Sequence, residues 1–201
     1  AAYQALRKGV LDYERRQVFR GPERYIELPP PGPARDEAID DVLAEHPDND
    51  DLQAAVVLEA NARRVVAVRQ DGEPFEITGD GLRSVASGLS DKAGPNIRIR
   101  PGAVIRVVKV DDKSWRITQL PEVEAAFVAM DPRSGAIRAL VGGFDFQKNK
   151  FNHVTQAWRQ PGSSFKPFIY SAALEKGVTP MTVVNDAPLF FSAGETGGKP
   201  W

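Results

Sequence analysis

Between residues 54 and 119 the chain is a succession of short β-branched runs set between turn signals, a pattern that leaves little room for anything but a small antiparallel β-domain. The runs are 54–58, 64–68, 75–78, 97–99, 104–110 and 114–119. Asn61-Ala62, Asp71-Gly72, Gly79-Asp80-Gly81, Pro101-Gly102 and Asp111-Asp112 separate them, each suited to a tight connection. A barrel or meander of about five or six strands is expected.

The same stretch tests whether the chain binds nucleic acid. Ile97-Arg98-Ile99-Arg100 and Val104-Ile105-Arg106-Val107 alternate basic and apolar residues, and an oligonucleotide/oligosaccharide-binding (OB) barrel is one shape that fits. Stacking surface is scarce, since only Phe75 and Trp115 supply it. The arginines are therefore read as solvated groups and no nucleic-acid partner is expected. Charge agrees, because 26 basic and 27 acidic residues leave a formal net charge of -1. The chain has no cysteine, which excludes a disulfide framework, a thiolate nucleophile and a sulfur-ligated zinc. Its two histidines, His46 and His153, stand far apart, so neither a metal nor any other cofactor is expected.

Around this β-stretch lie two other textures. Upstream, Tyr3, Leu6, Val10 and Leu11 recur at helical spacing before the turn Arg20-Gly21-Pro22. Leu28-Pro29-Pro30-Pro31-Gly32-Pro33 reads as an extended connector, and 38–44 as a short acidic helix. Downstream, 125–130 and 136–141 flank Asp131-Pro132-Arg133-Ser134-Gly135, which predicts a hairpin. Both strands are apolar at nearly every position, so the hairpin is expected inside a larger sheet covered by helices. Phe165, Phe168, Ile169, Ala172 and Ala173 then predict a buried helix that opens at the serines, with Gly177 and Pro180 as its stop. No window approaches the roughly 18 to 20 apolar residues that span a bilayer, and the first residues lack the apolar core of a signal peptide. The chain opens inside a helical pattern and stops at Gly197-Gly198-Lys199-Pro200-Trp201, which reads as a piece of a longer protein with any anchor outside it.

Chemistry concentrates at Ser163-Ser164-Phe165-Lys166. A serine hydroxyl needs a base within hydrogen-bond reach, and residues three apart on a helix share a face, so Lys166 can turn back toward Ser163. Two features expected here disfavour the charged ammonium: burial among Phe165, Phe168 and Ile169, and the positive end of the helix dipole. The free N–H of Ser163 at the helix start would meet a developing oxyanion. Pro167 has no N–H to give the Ser163 carbonyl, so an unpaired carbonyl is expected, and Gly162 permits close approach by a substrate. Ser-x-x-Lys alone is a weak signal; its setting after Pro-Gly and before an apolar helix face sharpens it.

Gln160-Pro161-Gly162-Ser163-Ser164-Phe165-Lys166-Pro167-Phe168-Ile169-Tyr170 resembles the active-serine motif of class A penicillin-binding proteins, the bifunctional peptidoglycan synthases, and in detail their type 1A branch. The hairpin from Ala126 to Gly143 and the segment from Phe151 to Ala157 are similar to what precedes the serine in that family. Leu6-Arg7-Lys8-Gly9, Tyr13-Glu14-Arg15-Arg16 and Arg20-Gly21-Pro22 resemble its interdomain linker. The resemblance implies an α+β, multidomain chain: interdomain linker helix and start of the transpeptidase region over 1–28, OB-like barrel over 29–120, and over 121–201 the N-terminal part of a penicillin-recognising, serine β-lactamase-like transpeptidase domain. It implies a D,D-transpeptidase in which Ser163 takes the acyl group of a stem peptide ending in D-alanyl-D-alanine, Lys166 takes the serine proton, and β-lactams mimic the donor. It also implies a protein or glycan partner for the barrel, a membrane anchor in the parent protein, and the periplasmic face of the bacterial inner membrane as location. The family's Ser-x-Asn and Lys-Thr-Gly elements do not occur after Lys166, so the chain alone is expected to be inactive.

Other classes fit less well. A Ser/His/Asp hydrolase would need His46 or His153 beside the serine, and no Gly-x-Ser-x-Gly elbow surrounds it. A serine β-lactamase does not begin with such a linker and barrel. A non-catalytic OB-like binding module remains the alternative from another class.

Overall fold

The computed structural model describes residues 1–70 and 72–199. Asp71, of the expected Asp71-Gly72 turn, and Pro200 and Trp201 lie outside the described residues. The chain divides into two compact units, Ala1–Ala157 and the segment from Trp158 onward.

The first unit opens with helix α1 (Ala2–Glu14) and a two-residue strand β1 (Arg24–Tyr25). Helix α2 (Pro33–Glu45) follows. It starts earlier than its acidic stretch suggested, because Pro33 sits in the first turn, where a missing N–H costs nothing. Then come strands β2 (Leu52–Ala60), β3 (Arg64–Val68) and β4 (Pro74–Thr78), a 3-10 helix Gly79–Val85, helix α3 (Ala86–Leu89), and strands β5 (Ala103–Lys109) and β6 (Trp115–Thr118). All pairings are antiparallel, in the order β1-β5-β2-β3-β4. Strand β5 pairs with β2 along one edge; along the other it meets β1 at its start and β6 at its end.

Alternation assigns the two faces of the sheet. Ala55, Val57, Val65, Ala67, Ile77, Ile105, Val107 and Ile117 point inward and form the barrel core with Phe19, Leu82 and Val85. The intervening Ala54, Val56, Val68 and Val104 are covered by Ile39, Val42 and Leu43 of α2. Strand β2 is thus buried on both faces, which its unbroken Ala-Ala-Val-Val-Leu requires. Its register shifts between Val57 and Glu59, a bulge that bends the strand around the barrel. Phe75 of β4 and Trp115 of β6 pack at 4.7 Å between centroids with their rings tilted by 42°, bringing the two ends of the sheet together.

Several local expectations are corrected. Gly79-Asp80-Gly81 is no hairpin turn: it opens the 3-10 helix, whose Leu82 and Val85 plug the barrel. Residues 97–99 form no strand. The N–H groups of Ile97 and Arg98 bond back to Gly94, and only Ile99 reaches the core, its N–H on Gly88 at 2.8 Å. Arg106 is not solvated but 4% exposed, its guanidinium paired with Glu23 at 2.7 Å and donating to the Pro47 carbonyl at 2.8 Å. At the β1–β5 edge Gly102 adopts φ +84° and lies so close to Ile26 that a Cβ would stand 2.0 Å from the Ile26 carbonyl oxygen.

One buried cation ties the first unit together. The side chain of Arg7 on α1 is 2% exposed. It donates to Asp51 at 2.6 Å, to the Asn49 carbonyl at 2.9 Å and to Asn49 Oδ1 at 3.0 Å, and pairs with Asp50 at 3.5 Å. Its guanidinium also lies 4.2 Å from the ring centroid of Phe144, and Asn49 in turn donates to Asp145. Helix, barrel and the segment that follows the hairpin meet at this residue.

The hairpin itself is strands β7 (Phe127–Met130) and β8 (Ile137–Val141). It pairs with nothing else among the described residues, so the larger covering sheet is absent. Val141 packs with Leu6 and Val10 of α1, whereas Met130 and Ile137 are 58% and 59% exposed. Apolar content on both strand faces states how much surface wants cover; the elements here supply cover on one side only.

Candidate active site

In the second unit a 3-10 turn, Gly162–Phe165, runs directly into helix α4 (Lys166–Glu175); a short helix α5 (Ala193–Thr196) follows further on. Gly162 takes φ +54° with nothing near its absent Cβ, so backbone conformation rather than space calls for glycine. Gly177, at φ +86°, stands just beyond the other end of the helix.

Ser163 lies in the 3-10 turn and Lys166 is the first residue of α4. In a 3-10 turn residues i and i+3 eclipse, so the two side chains leave the backbone on the same side. Among the described residues no side-chain hydrogen bond joins them. The Ser163 carbonyl, expected to be unpaired opposite Pro167, accepts the Lys166 N–H instead, because tightening the turn by one residue supplies the donor that proline lacks.

The expected burial of this helix is corrected. Phe165, Phe168 and Ile169 are 53%, 68% and 53% exposed, and both Ser163 and Lys166 are exposed. The second unit contains only this helical stretch and α5, with no strand among its described residues, so nothing in it can cover the apolar face.

The segments that lead toward the serine are well tied within the first unit. Asp131 closes the β7–β8 turn by accepting the N–H groups of Arg133 and Ser134 at 2.9 and 3.0 Å. Those backbone bonds, with help from Arg138, hold its carboxyl below the ordinary range. Asn152 packs against Gly142 so closely that a Cβ there would meet its side chain at 2.5 Å. Asn152 Oδ1 also accepts the Val154 N–H at 2.9 Å. His153 Nδ1 lies 2.9 Å from the Gly142 carbonyl and His46 Nδ1 2.8 Å from that of Val42, so both imidazoles are committed to backbone. Sequence reasoning missed a cationic groove between α1 and β6, because its residues come from five separate segments and only the fold collects them.

The family model for the penicillin-binding protein OB-like domain matches residues 19–123, and that for the penicillin binding protein transpeptidase domain matches 125–201. The chain therefore belongs to the penicillin-binding proteins. Within them it is similar to the 1A type. Penicillin-binding protein 1A of Pseudomonas aeruginosa is 39% identical over 197 residues, covering 95% of this chain and 23% of that protein. That of Neisseria lactamica is 40% identical over 206 residues, covering all of this chain and 25% of the relative. The crystal structure of penicillin-binding protein 1A from Haemophilus influenzae superposes with a TM-score of 0.75 at 30% identity, covering all of this chain and 28% of that one. The chain spans about a quarter of the length of the curated relatives it matches.

Proposed function

We propose that this chain carries the acyl-accepting part of a peptidoglycan D,D-transpeptidase, in a parent protein that is a membrane-anchored synthase at the periplasmic face of the inner membrane. The observation that carries the reading is the placement of Ser163 and Lys166 one turn apart at the opening of α4, inside the segment matched by the transpeptidase model. Residues 1–28 would then be the linker helix and start of the transpeptidase region, 29–120 the OB-like barrel and 121–201 the N-terminal part of the transpeptidase domain.

In this reading the Ser163 hydroxyl oxygen attacks the carbonyl carbon of the penultimate D-alanine of a stem peptide. Lys166 takes the hydroxyl proton, and the backbone N–H of Ser163 donates to the oxyanion. The bond to the terminal D-alanine breaks and the proton goes to its departing amine. The amine of a second stem peptide then attacks the ester, forms the cross-link and restores the serine hydroxyl. A β-lactam opens on the same serine and halts at the ester. The chain by itself is inactive, since it supplies no Ser-x-Asn or Lys-Thr-Gly element after Lys166 and leaves the helix uncovered. A purely binding role for the OB-like barrel accounts for residues 19–123 but gives no reason for the serine and lysine on one side of a turn.

The test is a chimera in which this chain replaces the matching segment of the Pseudomonas aeruginosa relative. It should be labelled by a fluorescent penicillin, and Ser163→Ala should abolish labelling while Ser164→Ala keeps it. Labelling that survives Ser163→Ala in a folded chimera would refute the assignment.

A further inference from the structure

The sheet face opposite the barrel core carries a feature that acyl transfer does not use. Leu52, Val108 and Arg116 stand directly opposite one another across β2, β5 and β6, with Thr118 two residues on from Arg116. Facing that row, Gln4, Lys8, Leu11 and Arg15 form one stripe along α1. Between them lies a groove of about 410 Å³, with Lys109 and Val110 on its rim. Arg15 and Arg116 also line an adjoining hollow of about 290 Å³ beside Arg83 and Asp80, so the two form one open channel.

Charge along this channel runs against the chain's formal -1. Lys8 and Arg15 share a single carboxylate, Asp12. Lys109 has Asp112 at 3.6 Å and Arg83 has Asp80 at 2.5 Å. Arg116 has no ion pair among the described residues. With Arg7 and its partners Asp50 and Asp51 counted, six cations thus stand with five carboxylates, and the unpaired charge is that of Arg116. Leu11, Val108 and Val110 give the groove an apolar strip, Leu52 beneath them being fully buried, while among the described residues no aromatic side chain lines either hollow. Saccharide sites lean on aromatic faces, so their absence turns the chemistry toward peptide. An extended strand sends alternate side chains to opposite sides, and here carboxylates would reach the arginines while apolar side chains rest on the floor.

We infer that the channel between α1 and the β5–β6 edge is a docking groove for an extended acidic peptide segment of a partner protein. This holds whether or not Ser163 is acylated.

The test uses the 201-residue chain, labelled with nitrogen-15, and a synthetic octapeptide of alternating Glu and Val. Amide shifts should concentrate at Lys8, Leu11, Arg116 and Thr118 and leave Arg64 and Glu76, on the far side of the barrel, unmoved. Affinity should fall on raising salt from 50 to 300 mM, since exposed charges are screened. Arg15→Glu with Arg116→Glu should weaken binding at least about tenfold at an unchanged melting temperature. Lys109→Glu, a change to an exposed rim residue, should weaken it several-fold if the double variant does not fold. Shifts spread over the whole surface, equal binding by a Lys-Val octapeptide, or affinity untouched by either variant would overturn the inference. Binding of a polygalacturonate oligomer without binding of the Glu-Val peptide would overturn it in favour of a glycan.

Discussion

Replacing Arg7 by methionine keeps most of the buried stem and removes the guanidinium, so it isolates what the charge contributes. Breaking a fully buried ion pair costs about 3–5 kcal/mol, chiefly because the partner is left charged and dry. Here the partners are not dry: Asp50 and Asp51 are 47% and 50% exposed and can rehydrate. Nor is the Asn49 carbonyl orphaned, since it keeps the Leu52 N–H at 3.0 Å. What disappears is the short charge-assisted bond to Asp51, the bond to Asn49 Oδ1 and the stacking on Phe144, about 3 kcal/mol together. For a chain of this length that corresponds to a melting temperature lower by roughly 6–12 °C. Urea unfolding followed by circular dichroism should show the midpoint falling with an unchanged slope. Lysine at this position should recover only part of the loss, because a point charge cannot reach carboxylate, amide and carbonyl in one plane. In 1 M salt most of the difference should persist, since Arg7 is shielded from solvent. A loss below about 0.5 kcal/mol, or one erased by salt, would mean that Arg7 behaves as a surface residue and that α1 is not held by it.

Four further outcomes follow from the geometry. Ile117→Ala, at a fully buried barrel position, should cost about 2–5 kcal/mol in urea unfolding. Gly102→Ala should strip hydrogen-exchange protection from Ile26, whose N–H donates to the Gly102 carbonyl at 2.8 Å; Gly135→Ala, at φ +72° with open space around it, should cost only about 1–2 kcal/mol. Asp131 has a depressed folded-state carboxyl, so its contribution to the hairpin is present above its ordinary value of 3.8 and is lost as pH falls through the lower folded value. A carbon-detected titration should place its midpoint below 3.8, and a midpoint above that value would contradict the turn geometry.

How much of this could be read from the residues differs by element, and for physical reasons. Strands β2, β3, β4, β5 and β6 were legible because alternation and turn residues act within a few positions of each other. Ile97-Arg98-Ile99-Arg100 alternates equally well and forms no strand, since the N–H groups of Ile97 and Arg98 turn back onto Gly94 and that of Ile99 onto Gly88. The 3-10 helix from Gly79 was hidden behind two glycines that suit a turn as well as a helix opening. Strand β1 has two residues and owes its existence to the edge of β5, which no local pattern announces. At Ser163 the helix start was legible from Pro-Gly and the apolar repeat that follows. The burial of that helix was not, because periodicity records which face wants cover and is silent on which element provides it. Arg106 and Arg7 show the converse: their partners, Glu23 for the one and Asn49 to Asp51 for the other, are remote in sequence, and only the fold converts a solvated arginine into a buried tie.

The position at which a penicilloyl group attaches identifies the nucleophile most directly. After the Pseudomonas aeruginosa chimera has reacted with benzylpenicillin, trypsin should release a peptide running from Gln160 to Lys176, because Pro167 blocks cleavage after Lys166. Fragmentation of that peptide should place the added mass on Ser163. Added mass on Ser164 or Ser171, or on any peptide that lacks this segment, would contradict the assignment of the nucleophile.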